Sequence, residues 1–102
     1  MTTFEETSDT IYCRFSGDIN SIACTDVSTV LAEHLDDVLT RKPGICVRFD
    51  LKETRYICSS FLRLCLLYCK KAGKEHFRIE NASEDIKKIF GIAGLNELIV
   101  LV

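Results

Sequence analysis

The stretch Tyr56-Ile57-Cys58-Ser59-Ser60-Phe61 places a thiol and two hydroxyls where an apolar strand end gives way to an apolar helix. A hydroxyl at that position can do two things. It can accept a hydrogen bond from a backbone N–H that the first helical turn leaves unpaired, which predicts a cap from one of the two serines. The same N–H groups and the helix dipole favour negative charge, so a phosphoserine fits there without rearrangement. Phosphorylation would add a charge of about −1.5 to −2. The pair therefore suits a phosphorylation switch.

The thiol offers a different chemistry. A cysteine just before a helix can have a lowered pKa and act as a nucleophile. A cysteine-based phosphatase loop, however, needs glycines and an arginine one position beyond where Arg63 stands, and no glycine separates Cys58 from Arg63. His34 and His76 fall in other elements. Cys58 reads as a structural thiol, and the chain as a binding protein without catalytic activity. The remaining cysteines, Cys13, Cys24, Cys46, Cys65 and Cys69, also lie inside apolar or amphipathic segments, and no CxxC pair is present. Reduced, buried thiols are expected, not a disulfide framework or a metal site.

Elements must hold these groups. Ile11, Cys13 and Phe15 alternate with Tyr12 and Arg14, which predicts a half-buried strand; Thr3–Thr7 forms a strand before it, with Ser8-Asp9 as the turn. From Ser21, the residues Val27, Val30, Leu31, Leu35 and Val38 recur at helical spacing until Arg41-Lys42-Pro43-Gly44 stops the helix. Ile45–Leu51 is a second alternating segment, and the helix after the serines runs to Lys71. His76–Glu80 is a strand. Ser83 caps a short helix with Glu84 and Asp85 in its first turn and Gly91 at its end, and Leu98–Val102 is a last strand.

Strands alternating with helices predict an α/β domain with a largely parallel sheet. The strands are not apolar throughout, so one sheet face should be open. That face would carry Tyr12, Arg14, Cys46, Arg48, His76, Arg78 and Glu80, its three arginines paired with local carboxylates or, in the alternative reading, binding an anion.

The whole chain has 102 residues, enough for a single domain over 1–102 with a real core. Its net charge of −2 argues against nucleic acid as a partner. No apolar run approaches the ~20 residues of a membrane span, and the polar, acidic start MTTFEETSD does not read as a secretion signal. A cytoplasmic protein is expected.

The order of these motifs resembles the STAS domain family, found in bacterial anti-sigma-factor antagonists and at the ends of sulfate transporters. The resemblance runs nearly the whole length: Phe15-Ser16-Gly17-Asp18-Ile19, Val47-Arg48-Phe49-Asp50-Leu51, Tyr56-Ile57-Cys58-Ser59-Ser60 with Leu62-Arg63, Asn81-Ala82-Ser83, and Ile92-Ala93-Gly94-Leu95. It implies a four- to five-stranded, mostly parallel sheet with helices mainly on one face. In free-standing antagonists a strand-to-helix motif Asp-Ser-(Ser/Thr)-Gly carries a regulatory serine, phosphorylated by a partner anti-sigma factor and restored by a phosphatase. By position that serine is Ser59, with Ser60 as a cap or partner contact. Cys58 stands where the motif has aspartate, removing a carboxylate near the acceptor, and Phe61 stands where it has glycine, adding bulk there.

A helical wheel puts Leu62, Cys65, Cys69 and Ala72 on the core side and leaves Phe61, Leu64 and Leu67 as an apolar strip beside Ser59. The expected partner surface is therefore Cys58, Ser60, Phe61, Leu64 and Leu67. The resemblance implies an anti-sigma factor or serine kinase as partner, with a phosphatase, for a monomer or weak dimer without cofactor. It equally allows an unphosphorylated adaptor in a transporter ATPase complex or a signalling scaffold. Nucleotide binding has no glycine-rich phosphate loop to support it.

Overall fold

The computed structural model describes all of residues 1–102. The chain opens with a hairpin, β1 (Thr2–Glu6) and β2 (Thr10–Ser16), and the long helix α1 (Ser21–Arg41) follows. Next come β3 (Cys46–Glu53), α2 (Ser59–Ala72), β4 (Phe77–Glu80), α3 (Glu84–Ile92) and β5 (Val100–Leu101). The five strands lie in chain order across one sheet. β1 runs antiparallel to β2, and every other neighbouring pair is parallel.

Alternation decides which way the sheet faces. Ile11, Cys13 and Phe15 of β2, Val47, Phe49 and Leu51 of β3, and Phe77 and Ile79 of β4 are buried. They form one core with Leu31 and Leu35 of α1, Phe61 and Cys65 of α2, and Ile86 and Phe90 of α3. All three helices therefore cover the same face. Its centre is aromatic: Phe49 meets the edges of Phe15 at 5.1 Å and Phe77 at 4.9 Å. Such edge contacts add to the area term of burial.

The other face is open, as the strand patterns require, and its charges are largely paired. Arg14 reaches Glu5 at 2.7 Å and Asp50 at 3.6 Å, and Arg78 reaches Glu80 at 2.9 Å.

Helix boundaries follow local chemistry. The Asn20 side chain accepts from the Ala23 N–H at 2.8 Å, capping α1. Ser83 caps α3 by accepting from the Ile86 N–H at 3.2 Å. Ser83→Ala should destabilise the protein by about 1 kcal/mol in urea unfolding, the usual effect of losing such a cap.

Besides shifts of one or two residues at the ends of β1 and β3, three boundaries differ from the expectation. Gly91 lies inside α3; the stop is Gly94, at φ 75°. There the Leu95 N–H donates to Phe90 O and the Gly94 N–H to Gly91 O, the paired closure that needs a left-handed residue. His76 belongs to a single 3-10 turn, Lys74–His76, so β4 begins at Phe77. β5 is only Val100–Leu101 because Leu98 and Ile99 both donate back to Leu95 O, which makes a turn of the preceding residues.

Candidate functional site

The start of α2 is fixed by a nonlocal contact. Ile19, just before α1, forms a parallel bridge with Ile57, just before α2. The Ile19 N–H donates to Tyr56 O at 2.8 Å, and the Cys58 N–H donates to Ile19 O at 2.9 Å. Both helices thus leave the same end of the sheet side by side.

This bridge determines the helix register. It holds Ile57 extended, and Cys58, at φ −96° and ψ 169°, becomes the cap position. The Phe61 N–H donates to Cys58 O at 3.1 Å, and helix begins at Ser59. The expected serine cap is therefore absent: Ser59 and Ser60 occupy the first two helical positions, and no side chain caps the helix. No acidic residue lies in that first turn. Both serines are exposed. The result is a helix start with free N–H groups, a positive dipole end and an accessible hydroxyl on Ser59.

The apolar strip is only partly formed. Phe61 is fully buried, its ring 5.3 Å from Phe15 and 6.2 Å from Phe49, so it is a core residue and is not available to a partner. With the helix beginning at Ser59, the inward face is Phe61, Cys65, Tyr68 and Cys69, and Leu62 and Ala72 are only half-buried. Cys65 and Cys69 face inward as the helical wheel requires, but Phe61 and Tyr68 take the places it gives to Leu62 and Ala72. Leu64 is half-buried at the helix surface, and Leu67 is exposed. Because Phe61 points inward, it adds no bulk beside the Ser59 hydroxyl.

Ser60 and Leu64 form one wall of a shallow groove of about 330 Å³ between α1 and α2. The opposite wall is the hydroxyl row Ser21, Thr25, Ser28 and Thr29 of α1. Sequence reasoning missed this wall. Its signal was the run of hydroxyls four and three positions apart from Ser21 through Thr25 to Ser28, which puts them on one helix face.

Cys58 is half-buried and stands against Cys24 of α1. Burial, and then contact with the Cys58 thiol, pushes the Cys24 thiol up to about 11. The imidazoles are elsewhere: His34 stacks on Phe4, and His76 lies in the turn after α2. Burial also pushes Cys13 up to about 12 and raises Cys65 and Cys69. All six cysteines are free thiols. Only Cys46 and Cys58 are better than buried, so an aromatic disulfide reagent at neutral pH should titrate these two rapidly. The other four should react only on unfolding; fast reaction of more than two would contradict this packing.

Five strands in chain order, one antiparallel edge hairpin and three helices on a single face constitute the STAS fold. Particular solved structures carry the likeness. The anti-sigma factor antagonist SpoIIAA in its unphosphorylated form matches with a TM-score of 0.79 and 17% identity, over 100% of this chain and 88% of that one. An anti-sigma factor antagonist from Mycobacterium paratuberculosis matches with a TM-score of 0.81 and 19% identity, over 99% and 83%. The Bacillus cell fate determinant SpoIIAA in its phosphorylated form matches with a TM-score of 0.68 and 16% identity, over 100% and 91%. Neither a family sequence model nor a curated protein matches the chain. At these identities the likeness is one of fold.

Proposed function

We propose that this chain is an anti-sigma-factor antagonist, a cytoplasmic regulator that works by binding, and that Ser59 is its phosphorylation switch. The observation that carries this reading is the exposed Ser59 hydroxyl on an uncapped helix start, beside a groove between α1 and α2. In this reading an anti-sigma factor with serine-kinase activity docks over Ser59, Ser60, Leu64 and Leu67, with Cys58 at the edge of the contact. Phosphorylation of Ser59 places charge in that contact and releases the partner, and a phosphatase restores it. The chain acts as a monomer or weak dimer. No helix is long and apolar enough to cross a membrane.

Two forms of the protein used as baits in cytosol of the source organism test this. Wild type should capture an anti-sigma factor of serine-kinase type, and Ser59→Asp should lose it. Capture of one transporter ATPase or scaffold by both forms would overturn the switch and identify a fixed adaptor. The replacement of the motif's aspartate by Cys58 favours that second reading, since the residue before the acceptor and the first helical turn carry no carboxylate.

A further inference from the structure

The open sheet face separates its three arginines. Arg14 is neutralised by Glu5 and Asp50 and lies over the Tyr12 ring at 5.1 Å. Arg48 and Arg78 are different. They sit directly opposite each other on β3 and β4, an arrangement of like charges that disfavours strand pairing unless something neutralises it. One carboxylate serves both. Arg78 takes Glu80 through two nitrogens, at 3.0 and 2.9 Å, and leaves Arg48 a single contact at 3.8 Å. The Arg48 side chain is only 20% exposed, so its guanidinium is a partly desolvated cation with unfilled donors.

These two arginines line a cavity of about 230 Å³ with Lys74, His76, Glu75 and Val100. The Lys74 ammonium donates to Glu97 O at 3.1 Å, and the His76 Nδ1 is buried without a hydrogen-bond partner. Counting Glu75 and Glu80 against Arg48, Arg78 and Lys74 leaves one cation uncompensated.

We propose that this cavity is an oxyanion site that binds a phosphoryl group, free or as a monoester. Planar guanidinium forks match phosphate oxygens in pairs, and a lysine adds a mobile point charge. The site lies on the sheet face opposite the helices, away from Ser59, and is independent of the switch reading. Glu80 is the internal competitor that a phosphate must displace from Arg78.

The test is a titration of the full chain with inorganic phosphate and, in parallel, methyl phosphate, at constant ionic strength, followed by amide chemical shifts. Saturable shifts are expected at Cys46–Arg48, Lys74–Arg78 and Val100. Arg48→Gln should weaken binding at least about ten-fold, as expected for losing charge-assisted hydrogen bonds. Arg14→Gln should leave it unchanged. Glu80→Gln should tighten it, because both guanidinium groups are then free; this gain of binding cannot come from misfolding. Saturation by both ligands assigns a terminal phosphoryl group, and saturation by inorganic phosphate alone assigns the free ion. Linear shifts spread over all basic residues, or equal binding by wild type, Arg48→Gln and Glu80→Gln, would overturn the site.

Discussion

Phe61→Ala should lower the unfolding free energy by about 3–5 kcal/mol, the range for truncating a buried aromatic to alanine. Phe61 has no exposed surface and sits between Phe15 and Phe49, the rings that tie β2 to β3. Truncation removes its apolar contact and leaves a cavity that helix α2 cannot close without breaking the Ile19–Ile57 bridge at its start. A domain of this size has about 5–15 kcal/mol of stability in total. The variant should therefore be close to unfolding at physiological temperature. At this length each kcal/mol moves the melting point by about 4–8 °C. Urea unfolding monitored by circular dichroism measures the loss. Leu67→Ala, on the exposed side of the same helix, should change stability by no more than about 0.5 kcal/mol. Similar effects for the two substitutions would mean that the helix is rotated and that Phe61 faces solvent.

The same helix shows where sequence ceases to determine structure. Strand faces were legible because Ile11-Tyr12-Cys13-Arg14-Phe15 alternates cleanly and only one register buries the apolar set. The stop of α1 and the cap of α3 were legible because Lys42-Pro43-Gly44 and Ser83 act through their own backbone neighbours. In α2, Phe61-Leu62-Arg63-Leu64-Cys65-Leu66-Leu67-Tyr68-Cys69 is apolar nearly all round, so periodicity alone does not choose a face. The choice comes from the bridge between Ile19 and Ile57, which lie far apart in sequence and set the first helical residue. The serine cap failed for the same reason. A cap needs an extended backbone, and the bridge hands that conformation to Cys58, whose thiol is a weak acceptor. The hydroxyl row on α1 was visible as spacing, but only packing brings it opposite Ser60.

A negative group on Ser59 should separate binding from stability. Ser59 is the first residue of α2, with unfilled backbone donors and no acidic neighbour in the turn, so charge there meets the positive end of the dipole. Ser59→Asp should therefore hold or raise stability, by about 0.3–1 kcal/mol at low ionic strength, with the gain fading as salt is added. Partner affinity should move the other way. A charge placed in a desolvated contact without a counterpart costs about 2–5 kcal/mol, or about thirty-fold or more at 1.4 kcal/mol per decade. Ser59→Ala removes the acceptor without adding charge and should keep wild-type affinity. Thermal melts and titration against the captured partner, on the same three proteins, read the two effects apart. If Ser59→Asp loses both stability and binding, Ser59 is a structural residue of the helix start and the loss is unfolding. If it gains stability and still binds, the partner does not cover Ser59. Only stability held with affinity lost fits a switch, because only that combination puts the charge where the isolated fold accepts it and the complex does not.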